Sequence, residues 1–392
     1  MASGTARIRV LYLMPGLGMG GTERVVLDCA SHLDPESFET RVGVLYDGDM
    51  RQQFEARGVP IHSLREGIRS ALAAGRVLAT QTRLRRIARS VDIVHTHHLS
   101  MLFYAALAAV PRRPWKWVHT EHCIPTIRDY YPPWLLRLGQ HLLRLPDALV
   151  GVAAPVTAYY RSAVSNVSAR AFTIPNGIEL DHFTPSTDRL WNRRPLGLPA
   201  DAWIIGTVGR LRPQKNHALL VRALAKLLGS VANAWLVIVG DGELEDSLRS
   251  LAGELHVLHR VAFLGSRRDI SEILACFDVF CLPSFFEGMP ISLLEGMASQ
   301  LPVVASDVVG IREFIHDAET GLLFPSNDPD ALCDALRSLH RDPGCARRLA
   351  RNGYEWVTRN GGLDLMIARH ATLYRRLSGR ASGSDPCPIH EP

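Results

Sequence analysis

The sequence predicts an α/β protein with two parallel sheets, and three observations carry that reading. Short, near-continuous apolar segments recur along the chain, each followed by helical spacing, as in strands buried on both faces. The series runs twice, to about Phe183 and again from Ala202, with a mixed-charge, proline-containing stretch between. At 392 residues the chain exceeds one ordinary core and suits two domains.

Composition narrows the class. Hydrophobic residues make up 47% and charged residues 21%, the balance of a globular enzyme. No apolar run reaches the roughly 18 residues of a membrane span. The opening MASGTARIRV has no apolar stretch of the secretory kind. Seven scattered cysteines (Cys29, Cys123, Cys276, Cys281, Cys333, Cys345, Cys387) lack CxxC spacing, which points to reduced thiols and a cytoplasmic location, and away from zinc or disulfides. Residues 1–183 hold 21 Lys+Arg against 15 Asp+Glu, the remainder 23 against 24. Seven arginines and one acid, Glu66, lie between Arg65 and Arg89. A basic first half suits an anionic membrane surface or a pyrophosphate-linked lipid, or is a solvated helix; no nucleic-acid partner is expected.

Arg7–Met14 reads as the first strand and runs into PGLGMGGTERVV. Gly16, Gly18, Gly20 and Gly21 permit a tight turn, and Thr22 is a candidate cap for a helix burying Val25, Val26 and Cys29. The spacing is not the G-x-G-x-x-G of dinucleotide binding, so that reading is rejected. Strands are expected at 41–46, 91–98, 116–122 and 147–154, and 100–110 reads as a helix apolar all round and therefore buried. The second series comprises 202–211, 234–242, 260–265, 278–282, 302–306 and 321–324. Helices are expected at 329–340, 343–358 and 363–377. Domains follow: 1–183, a linker at 184–200, 201–360, a last helix at 361–377, and a polar, disordered tail at 378–392.

Several residues carry chemistry. Arg210 and Lys215 stand five apart in GRLRPQKNH, after a strand and before a helix, where two cations can meet one diphosphate. Asp241 and Gly242 follow another strand in VGDGEL. Glu287 precedes, and Glu295 sits within, an apolar helix starting near Pro290, whose Ile291, Leu294, Met297 and Ala298 would face a core. VHTHH and WVHTEH place His95, His97, His98, His119, Glu121 and His122 at the carboxyl ends of two neighbouring strands, where open α/β sheets bind ligands. A metal at these histidines is one alternative, although HExxH is absent. The Asp-x-Asp pair Asp328-Pro329-Asp330 reads as a helix cap, and no metal or other cofactor is expected.

Taken as a block, PSFFEGMPISLLEGMASQLPVVAS with GRLRPQKN and the later TGLLF resembles retaining glycosyltransferase family four. The resemblance covers about residues 7–377 and implies the GT-B fold: two Rossmann-like domains with parallel sheets facing across a cleft, and a last helix crossing back to the first domain. It implies transfer of a hexose-type sugar from a UDP- or GDP-sugar to a saccharide or lipid-linked acceptor, in cell-surface or exported polysaccharide assembly. Arg210 and Lys215 would hold the diphosphate, Glu287 would lie beside the donor sugar, and Glu295 would accept ribose hydroxyls. Gly20, Gly21 and Thr22 would line the donor phosphates, with backbone from Gly288, Met289, Pro290 and Ile291. His122 matches the family's histidine near sugar and acceptor, with His119 second, and Glu121 and His97 as further contacts. One departure is Val309-Gly310, where the family shows Gly-Gly, which implies a stiffer loop. Two rivals remain: a nucleotide-sugar 2-epimerase on the same fold, and a non-catalytic sugar-nucleotide-binding protein.

Overall fold

The computed structural model describes residues 6–65, 73–124, 133–183 and 193–380. It divides into two compact units, Met1–Asn176 with Asp364–Pro392, and Gly177–Leu363. Residues 177–183, which the expected division leaves with the first domain, pack in the second. Ile178 N–H donates to Gly361 O and Leu363 N–H to Ile178 O, each at 2.9 Å. Within the expected linker, 184–192 lie outside the described residues, as do 381–392 of the expected tail. Arg193 is buried in the second unit, donating to Cys276 O and, at 2.8 Å, to Asp278.

The first unit contains seven parallel strands: β1 (Ile8–Gly16), β2 (Phe38–Tyr46), β3 (Ile61–Ser63), β4 (Ile93–His97), β5 (Lys116–Glu121), β6 (Ala148–Gly151) and β7 (Ala171–Thr173). Their order is β3-β2-β1-β4-β5-β6-β7, so the winding reverses between β1 and β4. Val10 to Met14 of β1 are fully buried, which explains why that strand reads as one apolar run. The last helix, Leu363–Leu377, belongs to this unit from Asp364 onward. Its Leu373 and Tyr374 are fully buried there.

The second unit holds β8 (Trp203–Val208), β9 (Ala234–Val239), β10 (Val261–Phe263), β11 (Val279–Leu282), β12 (Val303–Ser306) and β13 (Leu322–Phe324). The order is β10-β9-β8-β11-β12-β13, reversing between β8 and β11. Aliphatic side chains of helices His217–Leu227 and Pro329–Arg341 cover one face of this sheet. Each such side chain removed from water contributes about 1.5–3 kcal/mol. The two units are thus Rossmann-like, with a topological switch point in each.

Four local expectations need correction. Helix Leu99–Ala108 buries Met101, Leu102, Ala105 and Ala108, but Leu107 and the following Val110 are exposed, so it is not covered all round. Gly20, in an extended conformation, is the N-cap of helix Gly21–His32, and Thr22 lies inside the first turn. Pro290 is likewise the N-cap of helix Ile291–Ala298 rather than its first residue, and Ile291 is only half-buried. The three-residue strands β3 and β7 are absent from the sequence reading.

Candidate active site

In the second unit the site begins at the switch point. β8 ends at Val208, and Gly209 to Asn216 cross to helix His217–Leu227 through a single 3-10 turn, Pro213–Lys215. Asn216 takes a left-handed conformation (φ 49°), which turns the chain sharply into that helix. The neighbouring loop locks this crossing: Leu211 N–H donates to Asp241 O at 2.7 Å. Gly240 has φ 131°, and a Cβ there would sit 2.1 Å from Gly209 O. Asp241 therefore contributes backbone to the loop that carries Arg210 and Lys215, while its side chain is exposed.

The loop after β11 meets the loop after β8. Phe285 N–H donates to Gln214 O at 2.9 Å, and Gln214 Nε2 donates to Phe286 O at 3.0 Å. These bonds bring Lys215 Nζ to 2.6 Å from Glu287 Oε1, and Ser284 Oγ–H donates to the same oxygen at 2.6 Å. Ser306, at the end of β12, donates to Ser284 O and fixes that residue. Glu287 is 9% exposed, so its charge is compensated by a cation and a hydroxyl rather than by bulk water. Behind Lys215, His217 is buried and pushed down to about 3 by burial and then by the lysine charge.

Glu295 lies one turn into helix Ile291–Ala298 and is half-buried. Gly288, Met289 and Pro290 are buried at the helix entrance, where first-turn N–H groups have no partner inside the helix. Gly310 presses against this entrance, since a Cβ on it would lie 2.1 Å from Glu287 O. The preceding Val309 is exposed, so the departure from Gly-Gly falls on a residue facing away from the packed carbonyl.

In the first unit, Gly20 and Gly21 open the helix that follows β1. The histidines stand at the ends of adjacent β4 and β5. His119 is fully buried, with Nδ1 2.7 Å from Thr96 Oγ1 and Nε2 3.2 Å from Glu121 Oε1. His97 is also buried, its Nδ1 2.9 Å from His122 Nε2. Both are thus buried, while His98, Glu121 and His122 are the part-exposed members. Burial, then neighbouring imidazoles, hold His95, His97 and His122 well below the ordinary histidine value. Among the described residues, no three ligand atoms of this cluster lie within 4.8 Å of one another, so the geometry brings no metal set together here.

Sequence reading missed the residues that support the site. Ser284, Ser306 and Gln214 reach Glu287 and its loop only through folding. Likewise His95 Nδ1 lies 2.7 Å from Tyr374 Oη, and Tyr374 Oη–H donates to Tyr12 Oη at 3.1 Å. A serine three residues before the first glutamate was the only local signal available.

Residues 19–182 match the family described as Glycosyltransferase Family 4, and residues 188–356 match Glycosyl transferases group 1. A D-inositol 3-phosphate glycosyltransferase of Kineococcus radiotolerans is 31% identical over 77% of this chain and 76% of its own length. A UDP-Gal:alpha-D-GlcNAc-diphosphoundecaprenol alpha-1,3-galactosyltransferase of Escherichia coli is 35% identical over 42% of this chain, and the match spans 43% of that relative's length. Among solved structures, Anabaena HepE in complex with UDP-glucose superposes with a TM-score of 0.85 at 20% identity, covering 94% of this chain and all of that one (100%). WaaG, a glycosyltransferase involved in lipopolysaccharide biosynthesis, gives 0.74 at 20% identity, covering 93% of this chain and 99% of that one. Two Rossmann-like units, a charged loop pair at the second switch point and these matches together identify the chain as a glycosyltransferase of family 4 with the GT-B fold.

Proposed function

We propose that the protein transfers a hexose-type sugar from a UDP- or GDP-sugar to a saccharide or lipid-linked acceptor, with retention at the anomeric carbon. The observation that carries this is the Lys215–Glu287 pair, fastened by Ser284 where the loops after β8 and β11 meet. The bond from the donor's anomeric carbon to its diphosphate oxygen breaks, and a bond to the acceptor oxygen forms. The acceptor proton goes to the departing phosphate on the same face. Lys215 and Arg210 stabilise the charge growing on that phosphate, the kind of contribution that dominates such steps. Glu287 holds Lys215 in place beside the sugar, Glu295 accepts the ribose hydroxyls, and His122 positions sugar or acceptor. Fixed cations do the charge work, and no metal or other cofactor enters the step. HepE, solved with UDP-glucose, and the undecaprenol-linked acceptor in the name of the E. coli relative support the donor and acceptor classes.

A thermal-shift screen against nucleotide sugars tests the donor reading, because a ligand of the folded state raises its stability. Stabilisation by one UDP- or GDP-sugar is the expected result; none from any of them would discard it. Solvent deuterium appearing at C2 of the donor sugar, without acceptor, would replace transfer by epimerisation.

The acceptor class favours a membrane surface as the place of work, and the first unit offers one. Among the described residues no helix is long and apolar enough to cross a membrane. Helices Ala73–Ala88, Leu99–Ala108 and Pro133–Leu142 are packed side by side, the last two so closely that a Cβ on Gly139 would lie 2.6 Å from Leu99 Cδ1. They and the turns after them expose Leu78 (68%), Leu107, Val110, Trp134 (64%) and Leu138 among arginines such as Arg76, Arg86 and Arg137. Exposed apolar side chains and arginines on the same helices suit the boundary of an anionic bilayer. Cosedimentation with anionic vesicles, falling as salt rises, is expected; no binding at low salt would end this part of the proposal.

A further inference from the structure

His97 closes β4 with one ring nitrogen committed and one stranded. Its Nδ1 lies 2.9 Å from His122 Nε2, while its Nε2 is buried without a partner among the described residues. The two rings stack with centroids 5.2 Å apart and planes at 30°. His122 is part-exposed, and this bond to His97 is its one side-chain hydrogen bond among the described residues.

The surroundings decide what protons the pair can hold. His95 lies on the same strand with its ring 4.4 Å from that of His97, and His98 follows at the strand end, its ring 6.1 Å from that of His122. His119 and Glu121 come from β5, Tyr12 from β1, and His370 and Tyr374 from the last helix. Glu121 is the one carboxylate in this set, and its Oε1 faces His119 Nε2 at 3.2 Å. Tyr12 and Tyr374 are raised well above the usual phenol value by burial and stay un-ionised. Among the described residues, no carboxylate hydrogen-bonds to His97 or His122. A hydrogen bond between two imidazole nitrogens also needs one bare and one protonated atom, so a doubly charged pair loses it.

We propose that His97 is a positioning residue: its Nδ1 holds the His122 ring in one orientation and one neutral tautomer, leaving His122 Nδ1 as the nitrogen that meets a ligand. His122 then acts as a fixed hydrogen-bonding group rather than as a store for the acceptor proton. The functional half of this rests on the transfer reading above; the tautomer half does not. The stranded Nε2 of His97 is the cost of the device, since a buried polar atom without a partner is unfavourable.

Long-range 1H–15N spectra of the protein labelled in its histidine rings test it without any substrate, so failure here is distinguishable from failure of the transfer reading. For wild type, His122 is expected in a single neutral tautomer, with any protonation falling below the ordinary histidine midpoint of about 6.5. In His97→Phe, which keeps a ring of similar size without the nitrogen, His122 is expected to show tautomer averaging, while burial still holds its midpoint low. His97→Asn, whose amide falls near the position of Nδ1, is expected to restore the single form. Tautomer averaging at His122 in wild type overturns the proposal. So does a His122 signal unchanged in folded His97→Phe; if that variant does not fold, the wild-type spectrum and His97→Asn still decide.

Discussion

At the switch point of the second unit, Lys215 and Glu287 set opposite charges 2.6 Å apart, with Ser284 as a third partner. At the loops after β4 and β5 in the first unit, the cluster instead packs five imidazoles, of which burial holds His95, His97 and His122 neutral. Both units use parallel strands reversing order at one place, so the backbone presents similar crevices. The difference lies in what lines them. A leaving diphosphate gathers negative charge, and a fixed cation is most useful there. An acceptor hydroxyl or a sugar ring is neutral, and a desolvated wall of neutral donors and acceptors recognises it without a charge to compensate.

The largest effect that sharpens this contrast is expected from Lys215→Ala. It removes the cation and leaves Glu287 buried with Ser284 alone, so transition-state stabilisation should fall by about 2–4 kcal/mol. Turnover at saturating donor measures it, and a value within about threefold of wild type would discard Lys215 as a catalytic group.

Acid should act on the first unit next. His370 is buried, and its folded value is pushed down from 6.5 to about 4. The unfolded chain therefore binds more protons than the folded one between those two values. Stability contributed by the neutral form is complete above pH 6.5 and is lost as pH falls toward about 4. His370 alone accounts for on the order of 3 kcal/mol, with His95, His97 and His122 acting in the same direction. Denaturant unfolding followed at pH 7 and pH 5 checks this; equal midpoints would contradict the neutral cluster.

Gly310→Ala should cost about 1–3 kcal/mol, because its Cβ would lie 2.1 Å from Glu287 O and backbone must shift. Thermal melting with and without donor separates a global loss from one confined to the site. A smaller loss, about 1 kcal/mol, is expected of Tyr374→Phe, which deletes the hydroxyl shared by His95 and Tyr12. An unchanged melting point would mean that this link carries no weight.

Much of the fold was legible because the strands that build both sheets are buried on both faces and read as apolar runs. The three residues of β3 and of β7 offer too little pattern for that, and they are placed by pairing with β2 and β6. Arg210, Lys215, Glu287 and Glu295 stood out through the text around them. What joins them did not, since Lys215 and Glu287 lie 72 positions apart and His95 and Tyr374 lie 279 apart. Helical and strand periodicity report which face of an element is buried, not which buried polar atoms meet. The partners of His97 and His119 were not legible for that reason: both sit in polar strings at strand ends, yet both are buried.

The central claim is that charge on the second unit performs the transfer, and Glu287 tests it most directly. Donor binding by calorimetry and turnover should be measured together for Glu287→Gln and Glu295→Gln, with circular dichroism to establish folding. Glu287→Gln keeps shape but frees Lys215 from its partner, so turnover should fall further than affinity. Glu295→Gln loses charge-assisted bonding to hydroxyls, so affinity should fall first. Two folded variants that bind donor and turn over like wild type would contradict the assignment of this site.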